Sequence, residues 1–383
     1  MVWASRLSRG NMRHLTIGED VGYVTARAVV FWHLERPVAL NIAESPDGSA
    51  PSAGPARAIA EYETSSAAVP SAGLPSVSLV ICTRDRPREL ARCLTSLPEQ
   101  TYPPQEVIVV DNASVANGTE EICREANVRY VREPRPGLDI ARNAGARASS
   151  REIVAYTDDD VVLHPWWLER LVGAFDAPEI SAVTGLVLPA ELATPAQWHF
   201  ERYWGFGRGF ERTDFDAAFL TANETHGCPT WLIGAGANMA FRRTVFQQIG
   251  FFDERLDVGA AGCSGDSEFW HRILCAGGIC RYEPSAVAFH YHRRDWRNLR
   301  KQIRAYMRGH AAALLVQYER SGRRGNLRRL FISFPNIYAR RIVKGLLRNG
   351  EVADATMREE IIGLLSGIWF YVRTPRRRKD SAC

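Results

Sequence analysis

The sequence predicts an α/β protein: a mostly parallel, Rossmann-like sheet flanked by helices, preceded by a small N-terminal module and followed by a helical, basic C-terminal region. Three observations support this. From Val77 onward, short apolar runs of buried-strand type alternate with segments whose apolar residues recur at helical spacing. Each of the first four runs ends in polar, hydrogen-bonding residues. Charge is also divided unevenly along the chain.

Taken in order, residues 1–50 contain one strand-like run, Arg27 to His33, ending near Arg36-Pro37, and read as an accessory module. Residues 51–75 belong to a Ser-, Pro-, Ala- and Gly-rich stretch, the composition of a flexible linker. Residues 76–294 form the main domain. Its strands are expected at Val77–Cys82, Glu106–Val110, Val128–Val131 and Glu152–Thr157. Helices are expected over Arg88–Leu97, Glu120–Ala126 and Leu138–Ala148. Residues 295–383 read as arginine-rich helices, Asn298–Tyr318 and Leu327–Leu347, with a disordered tail from Arg373 to Lys379.

Composition bounds the function. The chain has 383 residues, 46% hydrophobic and 24% charged, which is enough for a substantial core. Eight cysteines, at 82, 93, 123, 228, 263, 275, 280 and 383, show no zinc-type spacing and read as reduced thiols. No run reaches the roughly 18 to 20 apolar residues of a membrane span; Ile361–Val372 comes nearest. Arg6, Arg9 and Arg13 are not followed by the apolar block of a signal peptide. The expectation is a cytoplasmic protein, soluble or peripheral on the inner face of the plasma membrane. Between Tyr291 and Asn349 there are 16 Lys/Arg and 2 Asp/Glu, a balance of +14; the remainder has 32 against 41, or −9, which sums to the net +5. So polarised a molecule suits an anionic membrane surface, a phosphorylated substrate or nucleic acid.

In a doubly wound sheet, ligands bind beyond the carboxyl ends of the strands. Those ends carry Thr83-Arg84-Asp85-Arg86-Pro87, Asp111-Asn112-Ala113-Ser114, Gly137 with Arg142 and Asn143, and Asp158-Asp159-Asp160. Turn propensity accounts for one such loop but poorly for four in register. Three adjacent carboxylates repel one another unless a cation or a buried donor offsets them. Strand alternation points Asp158 and Asp160 the same way, and oxygen ligands of this kind suit Mg²⁺ or Mn²⁺.

The run from Val77 to Asp160 resembles the nucleotide-binding half of the GT-A fold of family 2 glycosyltransferases, and the similarity extends to about Arg294. By that resemblance residues 76–160 are the nucleotide-sugar half and 161–294 the acceptor half. Thr83, Arg84 and Asp85 would line the nucleotide and Asp111 would hydrogen-bond the base. Gly137, Arg142 and Asn143 would lie near the base or diphosphate. Asp158 and Asp160 would correspond to the metal motif, Asp160 being the direct ligand, with His290 completing the site; His292 shares its face. The segment Gly234-Ala-Gly236-Ala-Asn238 resembles the lead into the acceptor site. Gly265-Asp266-Ser267-Glu268 resembles the catalytic-base motif, with Gly265 in place of the usual first acid. Asp266 is then the base, with Trp231, Gly236, Asn238 and Glu268 on the acceptor side. Acidic residues at a helix start also stabilise its dipole, and both roles are compatible. Trp198, Trp204 and Trp231 suit either sugar stacking or core packing.

The implied reaction is inverting transfer from a nucleoside-diphosphate sugar to a hydroxyl of a carbohydrate or lipid-linked acceptor, in cell-envelope or polysaccharide biosynthesis. Mn²⁺ or Mg²⁺ would be the cofactor. A sugar-phosphate nucleotidyltransferase is the nearest alternative, but it calls for a glycine-rich loop after the first strand, where this chain has Thr83-Arg-Asp-Arg-Pro. A nicotinamide enzyme needs Gly-x-Gly-x-x-Gly/Ala opening the fold; Gly234-Ala-Gly236-Ala-Asn-Met comes late and ends wrongly. A non-catalytic nucleic-acid binder would explain the C-terminal arginines and leave the polar strand ends unexplained, so no nucleic acid is expected.

Overall fold

The strand Val77–Thr83 is wholly buried, as its continuous apolar sequence requires of a strand covered on both faces. It sits at the centre of the donor half in a computed structural model that describes residues 11–16, 26–33, 35–49, 73–115, 118–347 and 355–374. The linker residues 51–72 and the tail residues 375–383 lie outside the described residues.

The elements run β1 (Met12–Thr16), β2 (Ala28–His33), β3 (Arg36–Ile42), β4 (Val77–Thr83), α1 (Pro87–Leu94), β5 (Glu106–Asn112), α2 (Gly118–Glu125), β6 (Arg129–Glu133), α3 (Leu138–Ala148), β7 (Ile153–Asp158) and β8 (Val161–Leu163). Then follow α4 (Trp167–Gly173), β9 (Ile180–Pro189), α5 (Pro195–Trp204), β10 (Thr213–Phe215), α6 (Ala217–Ala222), β11 (Asn238–Arg242), α7 (Arg243–Gln248), α8 (Gly265–Cys275) and β12 (Ile279–His290). The C-terminal region is α9 (Trp296–Ser321), α10 (Gly325–Arg328), a π turn (Arg329–Ser333), α11 (Phe334–Leu347) and α12 (Met357–Arg373).

The main sheet has the order β10-β12-β9-β11-β7-β4-β5-β6, with β8 pairing to β12. In the donor half β7, β4, β5 and β6 are all parallel. Their register aligns Thr83 with Asp111 and Cys82 with Asp158, so the polar strand ends share one edge. The second half is mixed: β11 runs antiparallel to both β7 and β9, whereas β9 and β12 are parallel. The sheet is thus uniformly parallel only where the nucleotide half was expected.

The N-terminal segment builds three strands where the sequence suggested one. β1 and β2 are parallel and β2 and β3 antiparallel. This small sheet shares a core with the main domain: Met12, Ala28, Val30 and Trp32 cluster with Phe289 and Leu188. Trp32 stacks on His164 at 5.3 Å, and the Trp198 indole donates to the Ala43 carbonyl. Trp198 is therefore a core residue. In the C-terminal region α12 packs along α9 through buried Gly363, Leu364 and Gly367. Among the described residues no helix is long and apolar enough to cross a membrane.

Candidate active site

A single cleft of about 1450 Å³ runs along the carboxyl edge of the sheet and on to the C-terminal helices. Thr83, Arg84, Gly137, Arg142 and the three residues Asp158, Asp159 and Asp160 line one end, at the parallel strands. Gly236, Asp266 and Trp231 line its middle, and Phe334, Tyr338 and Arg341 its far end.

At the end of β7 the acidic triplet is held by fixed donors. Asp159 accepts from the Thr83 hydroxyl at 2.7 Å and from Arg86 Nη1 at 2.6 Å. The second nitrogen of Arg86 reaches Asp160 Oδ2 at 2.7 Å. Arg86 is thus the buried donor that the triplet requires; its place within Thr83–Pro87 was the available signal. Burial and the Asp160 charge push Asp159 up to about 7, against Arg86 and Thr83. Asp158 is raised by burial and Asp160. Burial acts to raise Asp160 too, but His290 and Arg86 outweigh it and hold that carboxyl well below the usual range.

β12 delivers His290 beside the triplet, and the Tyr291 N–H donates to the Asp160 carbonyl, fixing the two segments together. One ligand atom each from Asp158, Asp160 and His290 falls within 4.8 Å of the others. His290 Nε2 lies 3.2 Å from Asp160 Oδ1. Behind it, His290 Nδ1 is 2.9 Å from His292 Nδ1, and His292 Nε2 is 2.9 Å from Glu201 Oε2. A carboxylate facing His292 Nε2 calls for a proton on that nitrogen, leaving Nδ1 as acceptor for the Nδ1–H of His290. His290 Nε2 then faces the Asp160 carboxylate across a proton when no metal is bound, and a cation can take that proton's place. A cation between them satisfies both, so the residues present fit a divalent metal. A backing carboxylate of this kind is the usual way to orient a metal-binding imidazole. Glu201, 91 residues from His292, carries no local sequence signal.

Asp266 stands in the first turn of α8 and accepts from the Ser267 N–H at 2.6 Å. Burial raises its pKa, against the Arg142 guanidinium and backbone N–H groups of Ser267 and Gly236. Arg142 is buried and donates to Asp139 at 3.0 Å and Asp257 at 2.6 Å. A Cβ at Gly236 would lie 2.5 Å from Arg142 Nη2 and 3.0 Å from Asp266 Oδ2, so this position must be glycine for the two charges to keep their places. Gly236→Ala is expected to lower kcat by up to about 10²-fold, as small misplacements of catalytic groups do, and to lower the melting temperature modestly because buried Arg142 must shift. Steady-state kinetics alongside a thermal melt checks this.

Gly265 has a similar cause. A Cβ there would lie 1.8 Å from Asp139 Oδ2. The space of the expected first acid is filled from α3 by the Asp139 carboxylate.

Five residues expected in the site do not line the cleft. Asp85 bridges strand ends, its N–H donating to Ser114 Oγ while its carboxylate accepts from the Val115 N–H. Asp111 is buried behind the wall, bound by the Tyr130 hydroxyl at 2.8 Å and Arg132 at 2.6 Å; its neighbour Asn112 reaches the cleft. Asn143 clasps both the N–H and the carbonyl of Phe252. Asn238 is fully buried, donating to the Leu186 and Ala286 carbonyls and accepting from Trp167. Glu268 is equally buried, paired with Arg272 and Arg320. These three satisfy buried polar groups and hold elements together. Trp204 and Trp231 do line the cleft, along with Gly205, Phe206, Gly207 and Arg208.

The sheet order and this cleft are those of the GT-A fold. Over residues 78–250 the chain matches the family model "Glycosyl transferase family 2". It is 29% identical over 239 residues to glycosyltransferase AglE of Haloferax volcanii, covering 60% of this chain and 72% of that protein. It is also 29% identical over 249 residues to a pre-mycofactocin glycosyltransferase of Mycobacterium tuberculosis, covering 63% of this chain and 48% of that one, so it spans about half of that relative's length. Among solved structures, the mannosyltransferase PcManGT of Pyrobaculum calidifontis, in complex with GDP-Man and Mn²⁺, superposes with a TM-score of 0.52 at 18% identity. That match covers 78% of this chain and 88% of that one.

Proposed function

We propose that this protein is a family 2 glycosyltransferase that moves a sugar, with inversion, from a nucleoside-diphosphate sugar to an acceptor hydroxyl in glycoconjugate or cell-envelope biosynthesis. The carrying observation is the placing of Asp266 and the Asp158–Asp160–His290 group along one cleft. Thr83, Arg84, Gly137 and Arg142 contact the donor. Asp158, Asp160 and His290 would hold Mn²⁺ or Mg²⁺, which would supply charge neutralisation for the leaving diphosphate. Asp266 accepts the proton of the acceptor hydroxyl as that oxygen attacks the anomeric carbon. The bond to the diphosphate breaks on the opposite face. Arg142 and the Gly236 N–H hold the Asp266 carboxylate in place, and burial makes it a stronger base. Trp231 and the Gly205–Arg208 loop form the acceptor wall. Among the described residues the seven cysteines form no disulfide, which suits a reducing compartment, and we place the reaction on the cytoplasmic side of a membrane.

Purified protein with Mn²⁺ and a panel of UDP-, dTDP- and GDP-sugars tests this, scoring released nucleoside diphosphate. Slow metal-dependent release from one donor is expected. Absence both of release and of metal-dependent nucleotide binding would overturn the reading. Glu201→Gln is expected to weaken Mn²⁺ binding by about 10- to 100-fold, because the amide no longer fixes the His292 tautomer. Titration of free Mn²⁺ by electron paramagnetic resonance, without donor, reads this directly.

A further inference from the structure

We propose that α11 and α12 form a docking surface for an anionic lipid bilayer, on the outer side of the wall that closes the far end of the cleft. The surface stands on its own observations; only its link to a lipid-carried acceptor rests on the glycosyltransferase reading.

α11 and the π turn before it are apolar on two sides. The inner side packs Leu330, Phe334 and Tyr338 against Met307 and Leu314 of α9 and Leu364 of α12. On the outer side Phe331, Ile332, Pro335, Ala339, Ile342 and Val343 are all exposed. At about 100° per residue these fall within roughly one third of the helix circumference. The four large ones are 53%, 53%, 44% and 56% exposed. Exposed apolar stripes of this size mark an interaction surface. α12 repeats the pattern: Leu365, Trp369 and Val372, at i, i+4 and i+7, are 64%, 58% and 70% exposed. The Arg373 guanidinium lies over the Trp369 ring at 4.1 Å, a pairing of aromatic and cation suited to a headgroup boundary.

Charge selects the occupant. Exposed Arg340 and Lys344 flank the α11 stripe, and the sequence beyond α12 carries Arg376, Arg377, Arg378 and Lys379. An apolar stripe edged by cations needs a low-dielectric phase with a negative boundary, and an anionic bilayer supplies both. With no spanning helix among the described residues, the association is one of lying on the surface. Phe334, Ile337, Tyr338 and Arg341 line the cleft from the same helix. The bilayer would therefore sit beside the end of the cleft, which suits an acceptor carried on a lipid.

Co-sedimentation of the full chain with phosphatidylcholine vesicles, with and without about 30% phosphatidylglycerol, tests the surface. Binding is expected to be at least about tenfold tighter to the anionic vesicles and to weaken with salt. F331S/I342S and L365S/W369S are each expected to cut partitioning by about tenfold or more; R340E/K344E should weaken the preference for anionic lipid by about tenfold or more, the remaining C-terminal cations keeping part of it. None of these residues lines the cleft, so donor hydrolysis in solution should stay at the wild-type rate, which also shows that the variants fold. Equal binding to both vesicle types, or unchanged partitioning in both apolar pairs, overturns the proposal. So does a dimer in sedimentation velocity that F331S/I342S dissociates while vesicle binding is absent, since a second copy then covers the stripe. Vesicle binding that persists in a protein showing neither donor release nor metal-dependent nucleotide binding overturns the catalytic reading and supports the surface.

Discussion

Asp266→Asn is expected to lower kcat by about 10²- to 10⁴-fold, the usual worth of a general base, while donor affinity changes little. The asparagine keeps the size of the aspartate and can still accept the Ser267 N–H through its amide oxygen, but it has no basic oxygen for the acceptor proton. Burial raises the Asp266 pKa, so wild-type turnover should fall as pH drops through that raised value, where the carboxylate becomes protonated. In the variant this limb of the pH profile should vanish, because the group no longer titrates. Single-turnover rates across pH, with donor dissociation constants measured in parallel, check both parts. A variant that retains wild-type kcat would remove Asp266 from the mechanism, and one that loses donor binding would move it to the donor side.

The donor half was legible because its cues are local. A wholly buried parallel strand reads as a continuous apolar run, and β4, β5 and β7 each show one next to a helix of amphipathic spacing. Their shared register then brings the polar ends together without further information. The second half hides its order, since β9, β11 and β12 meet through long-range pairings in both directions. Among candidate residues, the cleft collects Asp158, Asp160, His290 and Asp266 as their motifs suggest. Asn143, Asn238 and Glu268 stand in the same motifs, yet their partners are distant backbone groups or arginines. Whether an amide points at a substrate or closes a core depends on atoms such as the Leu186 and Ala286 carbonyls, about 50 residues away in the case of Asn238. The Glu201–His292 contact is invisible for the same reason. Arg86 is the opposite case, a cation whose need is announced by three adjacent carboxylates.

Asp160→Ala should remove metal-dependent binding of nucleoside diphosphate and reduce turnover by about 10³-fold or more, in line with the several kcal/mol that a Lewis-acid metal supplies. Three contacts make this residue central: Oδ2 is held by Arg86, Oδ1 faces His290, and Arg293 stands 3.8 Å away. Without the carboxylate, His290 and Asp158 offer only two ligands, and one nitrogen each of Arg86 and Arg293 loses its carboxylate partner. Asp160 raises the pKa of both Asp158 and Asp159, so its removal relieves like-charge repulsion within the triplet. Against that, burial is outweighed by His290 and Arg86, which hold the Asp160 carboxyl below the usual range, so its ionised form stabilises the fold at neutral pH. The metal-free variant should still unfold cooperatively, at a melting temperature modestly below that of the metal-free wild type. Calorimetry of nucleoside diphosphate binding with and without Mn²⁺, beside a thermal melt, separates the alternatives. Lost metal dependence with a cooperative melt assigns Asp160 to the metal. Metal-dependent binding that survives the substitution would shift the centre to other carboxylates and undo the role given to the triplet.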